Sequence, residues 1–172
     1  MRQPLARAAM MGAVLVLQVS VVPHLAIAGV QPDLVLIAIV LLSFSEGSIK
    51  GSVFGFVGGL IEDLLGGQAV GLSAFSKCIV GYISGLVERT IFIENVLLPM
   101  GAIFVASILN DFTYAGLNFL LGESIPIDKL FFDIALPTAA YNALAMPLVY
   151  LIYHRFAMPR PEKAPMLKKR LD

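Results

Sequence analysis

The sequence predicts an all-α integral membrane protein with six transmembrane helices, and three observations carry that prediction. Hydrophobic residues make up 58% of the 172-residue chain and charged residues 14%, at a mean hydropathy of +0.87. That composition leaves too little polar surface to cover a water-soluble globule. Gly47, Gly51, Gly55 and Gly59 recur every four residues inside an apolar run, and Asp63 and Gly67 continue the row. On an α-helix this is one stripe, and in lipid a stripe of small residues lets a neighbouring backbone approach closely. Finally, both chain ends are basic, with Arg2 and Arg7 at one and Arg155, Arg160, Lys163, Lys168, Lys169 and Arg170 at the other. Cytoplasmic segments carry the excess Lys and Arg, so both termini belong inside and the number of crossings is even.

Residues 5–28 read as the first span. Their length suits a hydrocarbon core of about 30 Å, which favours an uncleaved helix over a signal peptide. Its Ala9 and Ala13, four apart, offer a small-residue face to a partner. Residues 34–44 and 48–65 give two shorter spans, and 72–92, 96–121 and 134–156 the remaining three. Pro32, Gly66, Gly67, Gly71, Pro126 and Pro137 punctuate the helix ends. With six spans, Lys50 and Arg89 also fall in cytoplasmic turns, Lys129 lies in an external loop over 122–133 with Glu123, Asp128 and Asp133, and Lys77 stays inside a helix. Residues 1–157 thus form the membrane domain, and 158–172, with Pro159, Pro161 and Pro165 among charges, a disordered cytoplasmic tail.

The chemistry excludes several classes. Twelve basic and twelve acidic residues leave no basic face for nucleic acid. His24 and His154 sit at opposite expected membrane faces, so neither can serve a nucleophile beside the other, and their spacing suits no metal. Cys78 stands alone, without a disulfide partner. No cofactor is expected. Asp63 and Asp111 as a two-carboxylate intramembrane protease gain nothing from their flanking residues. The polar residues within the apolar runs say more. Asp63 precedes and Lys77 follows the turn over 66–71 at similar distances, which places them at one depth as an ion pair. Lys77 heads its own small-residue row with Gly81 and Gly85, so the third and fourth helices interlock. Asn110, Asp111 and Asn142 add to the same outer half, giving a polar pocket open to the outside; the alternative is that these groups only satisfy one another between helices.

Pro32-Asp33-Leu34, Gly51-Ser52-Val53-Phe54-Gly55-Phe56, Gly59-Leu60-Ile61-Glu62-Asp63-Leu64-Leu65-Gly66-Gly67, then Gly71-Leu72 and Gly81-Tyr82 resemble the MreD family of rod shape-determining membrane proteins. The likeness spans segments two to four, about a third of the chain by motif. The chain departs from the family at Ala69-Val70, which lacks the usual proline, and at Ser73, where the family often has His. The resemblance implies a non-enzymatic scaffold of the cell-elongation machinery in the bacterial inner membrane. Its implied partners are the bitopic protein MreC, the MreB filament, RodA and a penicillin-binding transpeptidase. The family is also similar in fold to the S components of energy-coupling-factor (ECF) vitamin transporters, which supply the rival function. Against that rival, no aromatic cluster stands near the pocket and Trp is absent.

Overall fold

The structure is a computed structural model that describes residues 2–27, 29–67, 69–87, 97–123 and 125–156. Among these residues the chain is helical apart from turns. Helix α1, Arg2–Ser20, ends eight residues before the expected limit of the first span. Pro23 is the reason: it has no N–H to continue the ladder and its ring collides with the preceding turn. The chain passes through a 3-10 turn, Val22–Leu25, and doubles back at Gly29, where Ile27 and Val30 exchange two backbone hydrogen bonds of 3.0 and 2.9 Å.

Helix α2, Leu34–Glu46, starts on Asp33, whose side chain accepts from the Leu36 N–H at 2.8 Å. Its 13 residues give about 20 Å of helix, short of a bilayer core. Every side chain from Val35 to Phe44 is buried. The shortness that made this segment ambiguous in sequence has a simple cause: α2 is the central helix, wrapped by α1, α3, α4, α5 and α7.

Gly47, at φ +87°, reverses the chain within one residue. It therefore caps two helices and does not belong to the glycine stripe of α3, Ser48–Gly66. Gly67 (φ +66°) ends α3 in the left-handed conformation, and Gly71 (φ +107°) opens α4, Leu72–Gly85. Helices α3 and α4 are antiparallel and their backbones touch. A Cβ at Gly51 would run into the Gly81 carbonyl, one at Gly55 into that of Lys77, one at Gly59 into that of Ser73, and one at Gly85 into Ser48. The row is consumed inside the chain and is not available to a partner. The expected continuation of this span to residue 92, with Arg89 in the following turn, lies outside the described residues.

Helix α5, Leu97–Leu120, and the rod that follows are long and apolar enough to cross a membrane. The rod begins with α6, Ile127–Lys129, passes through a π-helical stretch, Leu130–Ala135, and continues as α7, Leu136–Phe156. It starts seven residues before the expected 134, so Asp128 and Asp133 are helical and not in a loop. Pro137 accounts for the π stretch: the ring displaces the carbonyl four residues back, and the Leu136 N–H bonds to Phe131, five residues back. The tail over 158–172 lies outside the described residues.

Candidate functional site: a polar cluster among the helices

Lys77 is 3% exposed, and its Nζ lies 2.7 Å from Asp33 Oδ2 and 2.8 Å from Glu62 Oε2. The expected partner, Asp63, does something else. Its carboxylate accepts from the backbone N–H groups of Gly71 at 2.8 Å, Ser73 at 3.3 Å and Ala74 at 3.4 Å. These are free donors at the start of α4, and an anion there also meets the positive end of the helix dipole. Asp63 and Glu62 are adjacent on α3 and so point about 100° apart. Only Glu62 is turned toward Lys77.

Asp33 thus has two tasks, capping α2 with Oδ1 and holding Lys77 with Oδ2. The segment around it is clasped by side chains from two further helices. Asn142 of α7, fully buried, accepts from the Asp33 N–H at 2.6 Å and donates to Ser107 Oγ of α5 at 2.9 Å. Gln18 of α1 donates to the Pro32 carbonyl at 3.2 Å and accepts from the Leu34 N–H at 2.8 Å. Non-helical backbone away from water needs such partners for each polar group. Pro32 and Asp33, known from sequence only as part of a motif, are therefore the point where α1, α2, α4 and α7 are tied together.

Next to this knot, Ser76 Oγ donates to Asn110 Oδ1 at 2.7 Å, and Asn110 Nδ2 donates to Asp111 Oδ1 at 3.3 Å. Asp111 lies within electrostatic range of Asp33 and Lys77, and Tyr114 within that of Glu62, Asp63 and Lys77. Of the residues expected to share a pocket, Lys77, Asn110, Asp111 and Asn142 do lie around one locus; Asp63 borders it while serving α4. Glu62, Gln18, Ser76 and Ser107 were missed. Glu62 and Gln18 carried a signal, as a carboxylate and an amide inside apolar runs.

At the other end of the bundle, Glu46 pairs with Arg7 at 2.6 Å and with Lys50 at 2.7 Å, and the Ser45 and Tyr153 hydroxyls meet. Along α1, Ala9, Gly12 and Ala13 are exposed, and no atom lies near a Cβ built on Gly12. Among the described residues, no three of His, Cys, Asp and Glu are grouped so as to hold a metal ion.

A central apolar helix, a glycine seam joining two of its neighbours, a paired lysine between them and two helices long and apolar enough to cross a bilayer fit a helical membrane protein. The chain belongs to the MreD family: the family model of the rod shape-determining protein MreD matches residues 5–159, nearly its whole length. Membership assigns it to rod-shape determination. No curated protein and no solved structure matches the chain.

Proposed function

We propose that the chain is a non-enzymatic scaffold of the cell-elongation machinery, set in the bacterial inner membrane by six spans with both termini cytoplasmic. It holds the single-span protein MreC, and through it works with MreB, RodA and a penicillin-binding transpeptidase in organising peptidoglycan synthesis. The observation that carries the reading is family membership across residues 5–159. The polar groups around Lys77 support it, because they are engaged with one another and tie the helices together. The exposed face of Ala9, Gly12 and Ala13 on α1 suits a single helix, since small residues allow close approach in lipid. In this reading the Arg7–Glu46–Lys50 group lies at the cytoplasmic end, where basic residues are in excess.

Purification in mild detergent and mass spectrometry of what co-purifies tests the reading. MreC is expected, and Ala13→Leu should reduce its recovery while the chain still accumulates in the membrane. A second reading, as the S component of an ECF-type vitamin transporter, draws support from the half-buried Asp111 and Tyr114 beside the charged cluster. Recovery of an ATPase with a coupling subunit in place of MreC would establish it instead.

A further inference from the structure

The helices of this bundle do not rise to one height. At the cytoplasmic end Arg7, Glu46 and Tyr153 lie level, tied by the Arg7–Glu46 pair and the Ser45–Tyr153 contact. Higher up, Gln18, Asp33, Lys77, Ser107 and Asn142 lie level, tied by their hydrogen bonds and the ion pair. Above that second level α2 has ended, α1 stops at Ser20, and α4 extends only from Lys77 back to Leu72. Yet the rod runs on from Asn142 back to Ile127, about 20 Å, and α5 from Ser107 to Leu120, also about 20 Å. Half of the bundle is tall and half is short.

The tall tips carry Phe119 (67% exposed), Leu120 (78%), Ile127 (75%) and Phe132 (65%). Exposed Asp128, Lys129 and Asp133 stand among them, so the tips end at the headgroup level with their apolar side chains against lipid, and the tall half sets the span. The α1–α2 connection then sits inside the outer leaflet, and it is built for that place. It has no Asp, Glu, Lys or Arg between residues 21 and 32, exposes Val21, Leu25 and Ile27, and pairs its backbone internally and with the Tyr141 hydroxyl, which donates to the Leu25 carbonyl at 2.9 Å. Above the short half, α5 presents Asp111, Tyr114 and Asn118, half-buried and spaced along one face. Lipid tails against that face would strand a carboxylate.

We propose that the outer leaflet is notched over α1–α4, with phospholipid headgroups and their water drawn down to Asp111, Tyr114 and Asn118, so that this chain thins the membrane on one side of itself. The proposal rests on membrane placement and not on the scaffold role, and it is tested with the chain alone. The absence of Trp makes a single introduced Trp a clean reporter. Tyr114→Trp, in vesicles of phosphatidylcholine, should be quenched by aqueous acrylamide several-fold more than Val105→Trp, which replaces an exposed residue of the same helix, and barely by tail-brominated lipid. Quenching by tail bromine equal to that of Val105→Trp would overturn the notch, and so would shielding from both quenchers, which means that protein fills the space. Should Tyr114→Trp not fold, Asn118→Cys in a Cys78→Ser background takes its place. A membrane-impermeant maleimide should label it several-fold faster than Val105→Cys, and equal rates refute the proposal.

Discussion

The ammonium of Lys77 sits 2.7 Å from the carboxylate of Asp33, joining the second turn of α4 to the cap of α2 across 44 residues of sequence. Glu62 holds the other side of the same ammonium, and both carboxylates are mostly buried. Lys77→Met leaves two facing carboxylates without their cation and should cost about 3 kcal/mol or more. Asp33→Asn should cost less, because Glu62 remains and an Asn can still cap α2. The double variant should be milder than the sum of the two, as read by thermal denaturation in detergent. Asp63→Asn should couple to Lys77→Met far less than Asp33→Asn does; a coupling as large would contradict the geometry described.

The glycine seam makes a sharper demand than a generic small-residue contact. At Gly55 and Gly59 a single methyl meets a backbone carbonyl of α4, which cannot move aside as a side chain can. Gly55→Ala and Gly59→Ala should therefore lower the melting temperature clearly, in the range of about 1–3 kcal/mol for overpacking. Gly58→Ala, whose Cβ meets Ile39 and Val35 at an ordinary 3.4 Å, and Gly116→Ala, where the space is open, should leave it unchanged or raise it.

Asn142 and Gln18 should behave as structural ties. Asn142→Leu removes the acceptor of the Asp33 N–H and the donor to Ser107, and Gln18→Leu strands the Pro32 carbonyl and the Leu34 N–H. Each unmet buried group costs about 1–3 kcal/mol. Thermal denaturation should show both variants less stable, and Gln31→Leu, at an exposed neighbour, should show no such loss.

Reporter fusions placed after Gly47, Gly67, Val87 and Glu123 should report inside, outside, inside and outside in that order. Two consecutive positions on one side of the membrane would refute the six-span arrangement.

The helices α3 and α5 were legible from sequence to within one residue, because long apolar runs bounded by Gly or Pro leave little choice, whereas α2 was a short and ambiguous span whose end ran two residues further. Errors arose where a proline acts inside an apolar stretch. Pro23 stops α1 early, whereas Pro137 is absorbed by a π stretch and stops nothing; composition around the two is alike, and only the neighbours decide. The seam of Gly51, Gly55 and Gly59 was visible as a spacing, but Gly47 was not separable from it until its positive φ was known. Lys77 was given the wrong partner for a plain reason. Hairpin symmetry about residues 66–71 names a depth, not a direction, and Glu62 and Asp63 share the depth while facing apart. Asp33 could not be placed at all, since no spacing relates it to Lys77 or Asn142.

Helix α2 has protein on every side, and that changes what a substitution scan along it would look like. An ordinary span loses stability with a period of 3.6 residues, as positions facing lipid tolerate what positions facing helices do not. From Val35 to Phe44 no such rhythm can exist: each methyl removed leaves a gap that no acyl chain is near enough to fill. The most hydrophobic of the described helices is thus the one with the least dependence on the lipid around it.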